Sequence, residues 1–516
     1  MNKLIFFLSA ILLIGCSDFL DEKPISNIGL VSFYETSEQF EQAVNGAYKT
    51  LHPVYIGEGG RGSVSSVTEL RSDNATYMFN PVQQGWYELW NLDRFIAVSS
   101  NQAVRWTWNR TYEGIGTCNI FLHYSADADF ENKDRYEAEI KFLRALYYFH
   151  LVKNFGDVPL VITKVESLEE AFSLNKRTPQ NQVYEQIISD LNFAKQNLPK
   201  NYTGKNVGRA TEGAARTLLA KVLMWQDKYS EAKDELEVVQ KSGVYSLLDN
   251  YADVFKMETN FSSEYVYGWT GNEKDGSKLP GVMLENKGWG KYNGWGYFMP
   301  TKNLYDAFEP NDERRAVTIL SPGDEFKFFG EERLYYSTQS SSGMQFNKYM
   351  DPFRPEDAQG TTVNPNGNYM TTRLIIPLIR FSEVLLWKAE ALIWQGKNGD
   401  EPFNRVRTRA GLPAITNATK ADLKHERRVE LAAEFTNRHL DLVRWGDAKE
   451  AYSKVLYGYK TEGVTGGDDR DAILSKTEVV EVWAARNFDP SINHVFPIPP
   501  SVIDESQGVI KQNKGY

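Results

Sequence analysis

Apolar residues recur every three and four positions along much of the chain, the spacing of a single helix face. Phe40, Val44 and Ala47 mark a helix near residues 37–51. Ala138, Phe142, Ala145, Phe149 and Val152 mark a longer one, broken by Asn154-Phe155-Gly156-Asp157 and Pro159. Ala214, Thr217, Leu218, Val222 and Trp225 repeat the pattern, Asp227 to Tyr229 turns the chain, and a second helix runs from about Ser230 to Ser242. This helix, turn and helix span about 34 residues, the length of a tetratricopeptide repeat. Alanines at 210, 214, 215 and 220 allow its two helices to approach closely. A third unit has Leu385, Ala389 and Leu392 on its first helix and Phe403, Val406 and Ala410 on its second. A fourth helical stretch is expected from about Lys420 to Trp445. The fold class is therefore mainly all-α, with tetratricopeptide-like hairpins as a scaffold.

Two stretches break the periodicity. One irregular stretch covers about Tyr55 to Arg105, and the second, residues 250–375, is rich in Gly, Asn, Ser, Pro and Tyr, with helical spacing only near Thr301 to Phe308. Long irregular segments on a rigid scaffold commonly carry function. Each holds an aromatic cluster: Tyr77, Trp86, Tyr87 and Trp90 in the first, and Trp289, Tyr292, Trp295 and Tyr297 in the second. Glycines at 288, 290, 294 and 296 bare the rings of the second cluster. Flat rings can stack on the C–H face of a sugar, and Arg71, Asp73 and Asn74 lie beside Tyr77 to bind its hydroxyls. The same tryptophans could instead pack the loops onto the helices, as Trp106, Trp108 and Tyr112 are expected to do at the start of a helix.

The N-terminus sets the compartment. Lys3 precedes an apolar run, Leu4 to Ile14, too short to cross a bilayer as a helix and suited to a signal peptide. The run ends at Leu13-Ile14-Gly15-Cys16, which resembles a bacterial lipobox. Cys16 would then carry the lipid anchor, with acidic Asp18, Asp21 and Glu22 close behind. The expected division is a signal peptide over 1–15, an acylated tether over 16–30, an N-terminal part over 31–249 and a C-terminal part over 250–516. The C-terminal part holds the loop insertion 250–375 and the helices 377–448, and the body forms one compact unit.

Composition then removes several function classes. Of 516 residues, 41% are apolar, enough for a large core, and the net charge is −10, which argues against a nucleic-acid partner. Cys118 is alone once Cys16 is acylated and reads as a small buried apolar residue. Six scattered histidines, among them His150 and His439, lack metal spacing, and Asp127-Ala-Asp129 lacks the rest of a calcium loop. No catalytic signature such as Gly-x-Ser-x-Gly or His-Glu-x-x-His occurs, and Gly271 to Lys278 reverses the end of a phosphate loop. Glu430, Glu434 and Arg438 step by four and Asp441 precedes Arg444 by three, which reads as structural ion pairing along one helix face. The reading is a binder without cofactor or metal, not an enzyme.

Three segments together resemble the SusD/RagB family of outer-membrane nutrient-binding lipoproteins. They are Cys16-Ser17-Asp18-Phe19-Leu20 with its sequel to Pro24, the run Asn404 to Pro413 with Glu426-Arg427-Arg428-Val429-Glu430-Leu431 and Arg438 to Gly446, and the tail Phe496-Pro497-Ile498-Pro499-Pro500 with Gln512 to Tyr516. The resemblance implies four tetratricopeptide-like units and an irregular ligand-binding half. It further implies a protein anchored on the cell surface of a Bacteroidetes-like outer membrane that captures an oligosaccharide. The captured glycan would pass to a partner similar to SusC, a TonB-dependent transporter. A binder of peptides or another non-sugar nutrient is the alternative. The expected ligand contacts are Arg71, Asp73, Asn74, Tyr77, Trp86, Trp90, Trp289, Tyr292 and Trp295.

Overall fold

The structure is a computed structural model. It describes residues 33–55, 68–69, 71–77, 87–96, 98–269, 296, 298–337, 340–356, 361–363, 370–434, 438–464 and 469–516. Cys16, Trp86, Trp289, Tyr292 and Trp295 lie outside the described residues.

Helices dominate. The first, α1 (Ser37–Lys49), starts in a capping box: Thr36 accepts from the Gln39 backbone N–H at 3.3 Å, and the Gln39 side chain accepts from the Thr36 N–H at 2.8 Å. It buries Phe40, Val44 and Ala47 as the spacing predicts. The short α2 (Tyr87–Asp93) follows, then α3 (Gln102–Ser125), capped by Asn101, and α4 (Lys133–Phe155), closed by Gly156 at φ +72°. Next come α5 (Gln180–Asn197), α6 (Glu212–Met224) and α7 (Tyr229–Lys241), and after the insertion α8 (Phe381–Trp394), α9 (Asp400–Arg409), α10 (Lys420–Glu430) and α11 (Arg438–Trp445). From α3 to α9 each helix packs on the next, and α10 returns to α8. The close fit of α3 on α4 depends on Gly114, where a Cβ would lie 2.6 Å from the Tyr147 ring. Cys118, Phe142 and Ala145 are fully buried in the core, as are the alanines of α6.

Two expectations change. The stretch Lys420–Trp445 is not one helix: α10 ends at Glu430, Ala433 takes φ +64°, and α11 starts afresh at Arg438. The insertion, irregular in sequence, forms several two-stranded antiparallel sheets. Among them are β1 (Ala75–Tyr77) with β3 (Phe298–Pro300), and β2 (Tyr265–Trp269) with β4 (Ile376–Arg380). A later hairpin pairs β5 (Leu456–Thr461) with β6 (Thr477–Trp483).

The break after Glu430 redirects the expected ion pairs. Glu430 and Glu434 do not pair along a helix with Arg438 but converge on Arg380, which also meets Glu264 at 2.8 Å. Arg314 joins the same cluster through Glu430 at 3.0 Å and Asp312 at 2.8 Å, and Lys348 binds Glu434 at 2.6 Å. Burial raises the cost of ionising Glu430, yet Arg409, Arg380 and Arg314 outweigh it and hold its carboxyl well below the usual range. The expected Asp441–Arg444 pair is present at 2.9 Å. The C-terminal tail is a clip: the Phe496 N–H donates to the Asn154 carbonyl at 2.6 Å, and Asn513 donates to the Phe155 and Phe496 carbonyls at 3.0 and 2.7 Å.

Candidate functional site: an aromatic shelf beside a short ladder

The ladder β1–β3 joins the two irregular stretches. Tyr77 faces Phe298, Thr76 faces Met299 and Ala75 faces Pro300. The ladder is antiparallel, so the chain leaves Tyr77 toward Trp86 at the same end where it enters Phe298 from Trp295. Thr301 locks the other end. Its hydroxyl donates to the Asp73 carbonyl at 3.0 Å and caps the Leu304 N–H at 3.2 Å, and its N–H reaches the Asn74 carbonyl at 2.9 Å.

Beside the ladder, α2 carries aromatic side chains outward. Leu89, Leu92 and Asp93 point inward and are buried, while Tyr87, one turn from Trp90, is 61% exposed. Asn101, the cap of α3, holds α2 in place by donating to the Glu88 carbonyl at 3.0 Å. The Trp90 ring meets the Trp483 ring of β6 edge-on at 6.1 Å, and the Tyr87 ring at 6.3 Å. The Arg94 guanidinium lies over Trp483, 3.1 Å from the ring centre. Asp93 anchors the group: it accepts from Arg486 at 2.8 Å, from Thr76 at 3.2 Å and from the Tyr77 N–H at 3.3 Å. Tyr87, Trp90, Arg94 and Trp483 form a half-buried shelf of flat groups.

Four expected ligand contacts are placed elsewhere. Arg71, Asp73, Asn74 and Tyr77 are all buried, with 7% exposure at most. Arg71 donates to the Asn493 carbonyl at 2.9 Å and stacks on Phe496. Asp73 takes a forked pair from Arg438 at 2.7 and 2.8 Å, and Asn74 accepts from Arg428 at 2.8 Å. These side chains tie the first irregular stretch to the α10–α11 break and the tail. Tyr77 is a core residue of β1. Trp90 is the one described member of the expected set that reaches the shelf. Trp483 and Arg94 were missed. Trp483 sits far along the chain in an alternating strand, and nothing in its local pattern ties it to Trp90.

Two buried histidines are held in the neutral form. His439 is buried, shares a hydrogen bond with Tyr452 at 2.8 Å, and is held far below its ordinary value by burial, Arg71 and Arg486. It stays neutral and walled off. His150 is pushed down by burial to about 3. Among the described residues no group of three His, Cys, Asp or Glu side chains could hold a metal ion. No helix among them is long and apolar enough to cross a membrane.

Two family profiles match. One, described as starch-binding associating with outer membrane, matches residues 18–224, and the other, the SusD family, matches residues 252–516. The chain is similar to SusD-like protein P2 of Formosa agariphila, with 26% identity across 100% of this chain and 99% of that one. A solved laminarin-binding SusD-like protein superposes with a TM-score of 0.74 at 27% identity, covering 94% of this chain and 100% of that chain. A SusD-like protein from Bacteroides fragilis superposes at 0.78 with 24% identity, over 94% and 98% of the two chains. The starch-binding protein SusD of Bacteroides thetaiotaomicron is similar as well, with 25% identity across 84% of this chain and 82% of that one. A profile that spans more than half of the sequence, on a fold shared almost end to end, shows that this chain belongs to the SusD family.

Proposed function

We propose that the chain is a cell-surface glycan-binding lipoprotein that captures an oligosaccharide and delivers it to a TonB-dependent, SusC-like outer-membrane transporter. The observation that carries the reading is the β1–β3 ladder, where one Trp-rich stretch leaves and the other enters, beside the Tyr87–Trp90–Trp483 shelf. Trp86, Trp289, Tyr292 and Trp295 are further ligand contacts in this reading, on the strength of their sequence alone. A stacked ring contributes about 0.5–1.5 kcal/mol beyond its buried area. Two or three rings with a few hydrogen bonds reach about −4 to −7 kcal/mol, a millimolar to micromolar affinity suited to handover.

Cys16 carries the lipid in this reading and tethers the body to the outer membrane. The helical side faces the transporter. Its support is an exposed apolar lip, Ile162, Val165, Leu168 and Phe172, where Leu168 is 79% and Phe172 51% exposed.

Calorimetry with soluble oligosaccharides is the test. At least one glycan should bind, and Trp483→Ala should weaken it about tenfold, the loss of one stacked ring and its buried area. Peptide binding with no glycan binding would overturn the reading. Cross-links to a transporter that avoid residues 162–172 would overturn the docking side.

A further inference from the structure

The shelf holds donors without acceptors. All three nitrogens of Arg94 are buried with no hydrogen-bond partner, and its side chain is only 10% exposed. Trp483 Nε1 is buried and unpartnered in the same way, as are Nε and Nη2 of Arg486. The only carboxylate beside Arg94 among the described residues is Asp93, 3.4 Å from Nη2. That carboxylate is already divided, since its other oxygen binds Arg486 at 2.8 Å and the near one accepts from Thr76 and Tyr77. Two guanidiniums thus share one carboxylate in a place that water barely reaches.

Buried N–H groups are almost always paired, and a group of unpaired ones calls for an explanation. Water would satisfy the hydrogen bonds but leave a positive charge uncompensated in a low-dielectric setting. Burial pulls Arg94 down to about 10, opposed by Asp93 and assisted by Arg486. A neutral sugar hydroxyl both gives and takes a proton, whereas this cluster can only give. The complementary group is an oxyanion able to take several N–H bonds at once, the geometry a guanidinium prefers.

We propose that Arg94, with Trp483 and Arg486, forms a subsite for an acidic substituent, a ring carboxylate or a sulfate ester, on a glycan stacked against the shelf. The inference rests on the glycan-binding reading and narrows it to acidic oligosaccharides. Arg94 and Trp483 Nε1 donate to the oxyanion, while Trp90 and Tyr87 take the neutral face of the sugar chain.

The test compares size-matched ligands by calorimetry and tryptophan fluorescence: a neutral laminari-oligosaccharide, an oligogalacturonide and a sulfated galactan oligosaccharide, with inorganic sulfate as a free-anion probe. An acidic ligand should bind at least about tenfold tighter than the neutral one, and the preference should shrink as salt rises from about 50 to about 500 mM. The arm that wins, carboxylate or sulfate, names the substituent. Arg94→Gln should abolish the preference and its salt dependence. Trp483→Phe keeps a ring and removes the N–H, so it should reduce the preference even if Arg94→Gln folds poorly. Equal binding of neutral and acidic ligands, or a preference that survives both variants, overturns the subsite and leaves the glycan reading standing. No glycan binding at all, with sulfate still perturbing fluorescence in an Arg94-dependent way, supports the anion site and overturns the glycan reading. No response to any of these ligands overturns both.

Discussion

Tyr77 and Phe298 face each other across a three-residue antiparallel ladder, although most of the helical scaffold separates them in sequence. The pairing brings one end of each of two stretches that look unrelated along the chain side by side in the core. So short a ladder holds little by itself, since isolated two-stranded sheets are marginal in water. It relies on Thr301 and on the arginines that grip Asp73 and Asn74.

Thr301→Ala removes both the cap and the bond to Asp73. The expected loss is about 1–2 kcal/mol, the usual effect of a lost helix cap. Urea denaturation reads it, and glycan affinity should fall in the same variant because the two stretches lose their shared edge.

Asp73→Asn tests whether this carboxylate serves the fold or the ligand. Burial would raise the Asp73 carboxyl, but Arg428 and Arg438 outweigh burial and hold it far below its ordinary value. A depressed folded value means that the carboxylate stabilises the fold fully above its unfolded value of about 3.9 and progressively less as pH falls below it. The stability gap between wild type and Asp73→Asn should therefore be full at neutral pH and close in acid. A gap that stayed constant to pH 2 would contradict the pairing.

Arg380→Met removes the one cation that Glu264, Glu430 and Glu434 share and leaves each of them with a partial set of partners. Removing one side of a buried pair costs about 3–5 kcal/mol because the remaining charges stay buried. Guanidinium unfolding should show this loss. A double variant, Arg380→Met with Glu430→Gln, should recover part of it.

Gly343→Ala probes the hairpin that carries Trp483. The Tyr459 N–H donates to the Ser342 carbonyl at 2.8 Å, and a Cβ on Gly343 would lie 2.1 Å from the Tyr459 carbonyl oxygen. Gly343 also holds φ +66°. Backbone cannot yield there as a side-chain tip would, so strain and overpacking should cost about 1–3 kcal/mol. The hairpin should shift, and Trp483 with it, so glycan binding should weaken more than the melting temperature alone would suggest.

Cys16→Ser tests the anchor. The variant should leave the membrane fraction and appear in soluble extract, because no acyl chain can be attached and a single weak contact does not hold a protein on a bilayer. Continued sedimentation with membranes would contradict the lipobox reading.

The helical scaffold is written in the local pattern of apolar residues. Three- and four-residue spacing survives burial, so Phe40, Val44 and Ala47 in α1 and Phe142, Ala145 and Phe149 in α4 fall on core faces as their positions predict. The family motifs were equally legible, because they lie in contiguous runs such as Glu426–Leu431 and Phe496–Pro500. What spacing could not show was the break after Glu430. A left-handed Ala433 turns the chain there, and Glu430 and Glu434 find Arg380 and Lys348 in place of a helical neighbour. The site itself was decided only by tertiary structure. Arg71, Asp73 and Asn74 look like ligand contacts beside Tyr77, yet distant arginines and the tail claim them. Trp483 joins Trp90 only because the β5–β6 hairpin brings it there. Local sequence encodes which face of an element is apolar, whereas charge partners and ring neighbours depend on which distant elements arrive beside it.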